Sequence, residues 1–284
     1  MTPTIGVFDS GFGGLTVLRA LVRRLPQARF AFLGDTARLP YGSKSRRTIA
    51  RYAVQSAQFL VREQRAQFLV IACNTASALA LEAIQEAVPV PVLGVIQPGA
   101  HSAHAASRSG DVLVIATDAT VHSHAYAAAC QVLHLRALEK ACPLLVPLVE
   151  EGWIAHPVTE RVIRIYLDEL TADAAAQGFS PDTLVLGCTH YPLLRSLIER
   201  LAPAGIAVID SAESTADEAV QLINEIREPG YPIVGSSSGS KVGENTAQTE
   251  IRCFATDSVE KFERLGSRFL GRPVGNVELI DLGD

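Results

Sequence analysis

Short runs of β-branched, aromatic and aliphatic residues recur along the chain at 4–8, 30–33, 68–72, 92–96, 112–116, 184–187 and 207–209, and each predicts a buried strand. Segments with helical spacing separate them, clearest at 45–63, 121–133, 158–176 and 214–227. The last of these carries Asp217 and Glu218 in its first turns, where the positive end of a helix dipole favours carboxylates. Strands that are apolar throughout need cover on both faces, so this alternation predicts an α/β fold of doubly wound, mainly parallel sheets. The two halves of the chain read as variants of one such design. The stretch from Gly235 to Ser240 and the polar run that follows to Glu250 predict a mobile surface loop.

At 284 residues, with 48% hydrophobic and 19% charged, the chain suits one large or two ordinary domains around a packed core. A net charge of -5 without a dense Lys/Arg block argues against nucleic-acid binding, so an anionic ligand would be held by local donors. The chain opens Met1-Thr-Pro-Thr without a basic leader, and no uncharged run approaches a membrane span; a soluble, cytoplasmic protein is expected. Its five cysteines include no C-x-x-C pair, which predicts reduced thiols rather than a disulfide framework.

Candidate chemistry concentrates in two near-matching contexts. Leu69-Val-Ile-Ala-Cys73-Asn74-Thr75-Ala-Ser77 and Leu184-Val-Leu-Gly-Cys188-Thr189-His190-Tyr-Pro192 each place a thiol at the C-terminal end of a predicted strand. Ligands of open α/β sheets bind in the crevice beyond those strand ends. One buried cysteine is readily just a small hydrophobe, but two in duplicated settings predict a pair of acid/base groups that reach one ligand from opposite sides. Cys130, in a helical pattern, Cys142, before Pro143, and Cys253, in a late strand, are assigned to packing.

Three more loops at strand ends carry polar groups. Asp9-Ser10-Gly11-Phe-Gly13-Gly14 is neither G-x-G-x-x-G, because Thr16 holds the last glycine's place, nor a P-loop, which argues against nucleotide binding. Its Asp9 reads either as a helix N-cap or as a group that acts on a thiol proton. The loop 34–43 joins Pro40 and Gly42, marks of a turn, to the hydroxyls of Tyr41 and Ser43. In 116–124, Thr117 and Thr120 stand at a helix start, as caps or as donors to an anion. His101 with His104, and His122 with His124, lack a convergent third ligand and read as surface or capping residues, so no metal is expected.

Taken together, Asp9-Ser10-Gly-x-Gly-Gly, Asp35-Thr-Ala-Arg-x-Pro40-Tyr41-Gly42, Ala72-Cys73-Asn74-Thr75-Ala-Ser77 and Gly187-Cys188-Thr189-His190-Tyr191-Pro192 resemble the glutamate racemases of the aspartate/glutamate racemase superfamily. The resemblance runs from residue 4 to about 230 and resumes over 251–271, and the His after Cys-Thr favours the glutamate over the aspartate branch. Two departures are Ala119, where many members have glycine, and an apparent insertion at 236–249. The resemblance implies a cofactor-independent interconversion of L- and D-glutamate that supplies D-glutamate for peptidoglycan. It assigns Cys73 to the proton of D-glutamate and Cys188 to that of L-glutamate, with Asp9 serving Cys73 and His190 serving Cys188. Substrate contacts fall to Asp9, Ser10, Pro40, Tyr41, Gly42, Ser43, Asn74, Thr75, Thr117, Thr120, Thr189 and His190, with Glu150 at the pocket mouth.

The residue chemistry agrees. Inverting a stereocentre requires a base on one face of Cα and an acid on the other, and a thiol with a pKa of about 8.5 is only a few per cent ionised at neutral pH, so each needs a neighbour to handle its proton. The resemblance further implies a discontinuous first domain, 1–97 with 208–284, a second at 98–207, and the active site in the cleft between them. A homodimer is expected, as two-fold dimers are the commonest assembly. The competing readings are an aspartate or other amino-acid racemase, a non-catalytic anion-binding protein, and a hydrolase or transferase that uses one thiol.

Overall fold

The computed structural model describes residues 3–226 and 249–283; the stretch 235–248, and the loop expected there, lie outside the described residues. Strands β1 (Thr4–Asp9), β2 (Arg29–Gly34), β3 (Phe68–Ile71) and β4 (Val92–Gly94) come first, followed by β5 (Asp111–Ala116), β6 (Arg136–Ala141), β7 (Thr183–Gly187) and β8 (Ala207–Asp210), then β9 (Ile251–Ala255) and β10 (Val277–Leu279). The helices are α1 (Leu15–Arg24), α2 (Arg46–Arg62), α3 (Asn74–Ala87), α4 (Ile96–Ala106), α5 (Asp118–Ser123), α6 (Ala125–Val132), α7 (Leu145–Glu150), α8 (Pro157–Ala176), α9 (Arg195–Leu201), α10 (Ala212–Ile226) and α11 (Val259–Leu270).

Two sheets result, in the orders β10-β9-β2-β1-β3-β4 and β6-β5-β7-β8, with every pairing parallel. The inner strands β3, β5 and β7 are buried along their whole length, which is why their sequences are apolar without alternation. In the first sheet the chain leaves β1 to one side for β2 and returns to the other for β3; in the second, β5 stands in the same way between β6 and β7. Each sheet therefore has a switch point, where the loops beyond the strand ends part and leave a crevice. Asp9 ends and Cys73 follows the strands that flank the first; Thr117 and Cys188 follow those that flank the second.

Two sequence expectations need correction, and one strand lies outside every expected run. The run 92–96 stops as a strand at Gly94, and Ile96 opens α4, because a short buried apolar run carries no periodicity to separate strand from helix start. The helix expected over 121–133 is broken at His124, whose φ of 54° ends α5 and starts α6. Strand β6, Arg-Ala-Leu-Glu-Lys-Ala, has no apolar run because it lies at a sheet edge, where charged side chains are tolerated. The second sheet remains paired through Asp210, the last residue of β8.

Candidate active site

The polar loops beyond both switch points meet in one pocket with about 410 Å³ of free space. Ser10, Pro40, Tyr41, Gly42, Cys73, Asn74, Thr75, Thr117, Glu150, Cys188, Thr189 and His190 line it, together with Gly11, Leu39 and Val146. An outer chamber of about 830 Å³ shares Pro40, Gly42, Thr117 and Glu150 and adds Ser43. Two of the expected contacts stand behind the wall. Asp9 is buried beneath the glycine loop, and the fully buried Thr120 backs Thr75 and Thr117 with Oγ1 separations of 3.2 and 2.9 Å.

Cys73 caps α3, its Sγ accepting from the Ala76 amide at 3.4 Å and lying 3.3 Å from Ser10 Oγ. Burial, reinforced by the nearby Asp9 charge, pushes the Cys73 thiol up to about 12 despite those hydrogen bonds. Asp9 Oδ2 accepts from the Gly11 amide at 2.9 Å, while Oδ1 has no hydrogen-bond partner among the described residues. Burial raises the Asp9 pKa against the lowering pull of His190 and of the Gly11 and Gly14 amides.

On the opposite side, Cys188 Sγ lies 3.9 Å from His190 Nδ1. His190 Nε2 is 3.3 Å from Glu150 Oε1, a close ion-pair contact rather than a well-formed hydrogen bond. Burial alone would depress the imidazolium, but Cys188 and Glu150 outweigh it and lift His190 to about 10. The rings of Phe12 and Phe269 pack around it at centroid distances of 6.0 and 5.3 Å. Glu150 is held below its ordinary pKa, since His190 and Lys261 outweigh the effect of burial.

Close approach explains the paired glycines of the first loop. A Cβ on Gly13 would collide with Thr189 and come within 2.7 Å of His190 Nδ1; one on Gly14 would come within 2.7 Å of the Asp9 side chain. Asp35 anchors the second loop, fully buried and accepting from Tyr41 Oη at 2.6 Å, Arg38 Nε at 3.0 Å and Thr256 Oγ1 at 2.9 Å. Tyr41 is thereby fixed in the wall with its phenol protonated, since burial and the Asp35 charge both raise its pKa. Asn74 Nδ2 donates to Tyr126 Oη at 2.8 Å, tying the start of α3 to α6.

Asp35, Tyr126 and Lys261 were not singled out from sequence. Asp35 sits within a recognised motif, but its anchoring role depends on Thr256, more than two hundred residues away. The paired histidines are engaged separately: His101 lies beside Glu218, His122 beside Asp118 and His124 beside Glu139. Among the described residues no three His, Cys, Asp or Glu side chains group as a metal site, and no helix is long and apolar enough to cross a membrane.

Two parallel α/β sheets whose switch points face one thiol-lined pocket define an α/β protein with a ligand crevice at its strand ends. The model of the Asp/Glu/Hydantoin racemase family matches residues 5–219. The chain belongs to the glutamate racemases of that family, isomerases that act on amino acids. It is 51% identical to a glutamate racemase of Koribacter versatilis over 99% of this chain and 98% of that one. Among solved structures it is similar to a glutamate racemase isoform of Bacillus anthracis, with 36% identity, a TM-score of 0.85 and coverage of 99% and 98% of the two chains. It is also similar to the glutamate racemase of Francisella tularensis in complex with D-glutamate, with 33% identity, a TM-score of 0.83 and the same coverage.

Proposed function

We propose that this chain interconverts L- and D-glutamate by a two-base mechanism with Cys73 and Cys188 and no added cofactor, supplying D-glutamate for peptidoglycan synthesis in the cytoplasm. The observation that carries this reading is one pocket that receives a thiol from each sheet, each beside its own buried titratable neighbour. From D-glutamate, the Cys73 thiolate takes the Cα proton and becomes a thiol. The Cys188 thiol gives its proton to the opposite face of the carbanion and becomes a thiolate, 3.9 Å from the His190 ring nitrogen. An imidazolium there stabilises the new thiolate. L-glutamate runs the same steps in reverse, and the proton balance closes when each thiol returns to its starting form through its neighbour.

Ser10, in contact with Cys73, and Asp9, close enough for its charge to act on that sulfur, assist proton exchange on one side; His190 does so on the other. The hydroxyls of Thr75, Thr117 and Thr189 and the amides at the start of α3 offset the substrate's carboxylates, and such donors count for more in a pocket poor in water. Ser43 and Glu150 shape the mouth of a cleft between a first domain, 1–97 with 208–284, and a second at 98–207. The active unit is a homodimer.

The test is circular dichroism of the purified protein with L-glutamate and, separately, D-glutamate, under reducing conditions with chelator. Decay of both signals toward a racemic mixture is expected. Unchanged signals alongside turnover of aspartate would replace the substrate, and ligand binding without Cα proton exchange would replace the enzyme by a binding protein.

A further inference from the structure

Lys261, on α11, reaches the pocket-lining Glu150 from the C-terminal return of the chain. Its Nζ lies 3.1 Å from Glu150 Oε2, while the other oxygen of that carboxylate faces His190 Nε2 at 3.3 Å and His190 Nδ1 faces Cys188. The four groups form a continuous line, Lys261–Glu150–His190–Cys188, and its two ends belong to elements packed on different sheets. Glu150 is the last residue of α7, a six-residue helix, and its side chain is 13% exposed. A carboxylate at the end of so short a helix needs a second contact to stay in one orientation. Lys261 also lies 5.8 Å from the centre of the Phe12 ring, which packs against His190.

We infer that Lys261 is a positioning residue, which fixes the Glu150 carboxylate against His190 and thereby sets the charge presented to Cys188. The inference rests on the proposed two-thiol reading for its effect on turnover, but not for its effect on His190. Two consequences of losing Lys261 oppose each other. If Glu150 stayed in place, removing a nearby cation would strengthen the imidazolium. If Glu150 were released, His190 would lose its carboxylate partner and weaken. The second wins, because Lys261 is 37% exposed and its direct field is screened by solvent, whereas the Glu150 contact is short and largely shielded. The charged and titratable groups facing this carboxylate are His190, Lys261 and, more remotely, Asp9; those facing His190 are Cys188, Glu150 and Asp9. Arg268, also on α11, approaches Gly152 instead.

The experiment is an NMR pH titration of the histidine ring signals in the full chain, with the His190 signal assigned by its loss in His190→Gln. In Lys261→Met the His190 midpoint is expected to fall from about 10 toward the ordinary 6.5, and in Lys261→Arg to stay near the parent value. A midpoint that is unchanged or raised in Lys261→Met overturns the inference. In parallel, kcat on L-glutamate should drop roughly tenfold in Lys261→Met, with its alkaline limb moved to lower pH and recovery in Lys261→Arg. Failure of the parent protein to racemise glutamate would overturn the proposed function, while the His190 titration would still decide the role of Lys261.

Discussion

Cys73 and Cys188 end equivalent strands yet face unlike partners, a hydroxyl and a carboxylic acid for one and an imidazole for the other. Each single variant should therefore fail in its own way. Cys73→Ser and Cys188→Ser should both abolish steady racemisation. In D2O, Cys73→Ser should still wash solvent deuterium into L-glutamate, and Cys188→Ser into D-glutamate, as read by proton NMR; full racemisation by either variant would end the proposed two-base mechanism. His190 also links the site to stability. Its pKa is about 10 in the folded chain against 6.5 unfolded, so the folded state holds the proton more tightly, and the stabilisation is complete below pH 6.5 and lost as pH rises through 10. The melting-temperature gap between the parent and His190→Gln should shrink across that window, and a constant gap would contradict the assignment. At this scale the sequence singled out both thiols, Asp9 and His190, because strand-end cysteines in duplicated contexts are local signals. It could not reach Lys261, because a lysine on an amphipathic helix reads as solvent-facing until the partner carboxylate is seen.

At the scale of elements, local pattern predicted well along the fully buried inner strands. The runs 4–8, 30–33, 68–72 and 184–187 advertise inner strands, and Ser45 announces α2 by capping it. Prediction failed where tertiary pairing overrides composition, as in the charged edge strand β6 and the left-handed His124 between α5 and α6. One junction has a measurable consequence. Asp182, just before β7, accepts from Ser107 Oγ at 2.7 Å and from the amides of Arg108 and Ser109 at 2.7 and 2.8 Å, clamping the turn between α4 and β5. Those hydrogen bonds outweigh the effect of burial and hold its carboxyl well below the ordinary range. The stabilisation is therefore present above the unfolded carboxylate pKa and lost as pH falls through the lower folded value. Asp182→Ala should cost about 1–2 kcal/mol in urea denaturation at neutral pH, with most of the difference gone in strong acid. An undiminished cost in acid would show that the clamp does not depend on the charge.

The pocket exists only because two sheets are held with their switch points facing, and that relation is set by contacts no single segment encodes. Arg23 pairs with Glu213 and Arg24 with Asp217, joining α1 to α10 on the surface, where exposed ion pairs contribute little. Deeper, the α3 start is tied across by Thr75 to Thr117 at 2.9 Å and by Asn74 to Tyr126 at 2.8 Å. Tyr126 is fully buried, so its phenol is a fixed acceptor for the Asn74 amide rather than a mobile one. Its pattern neighbours, Ala125-Tyr126-Ala-Ala-Ala-Cys130, gave no reason to single it out, since a tyrosine among alanines reads as core filling. Tyr126→Phe keeps the ring and removes the hydroxyl, which also meets Ser211, leaving the buried Asn74 amide donor unpaired at a cost of about 1–3 kcal/mol. Asn74 lines the pocket, so freeing its side chain should disturb substrate positioning as well as stability. The expected result is a raised KM for glutamate in both directions with the His190 titration unchanged, because Tyr126 lies outside the Lys261–Glu150–His190–Cys188 line. Steady-state kinetics on each enantiomer decide it: an unaltered KM would reduce the Asn74–Tyr126 hydrogen bond to a fastening between the halves.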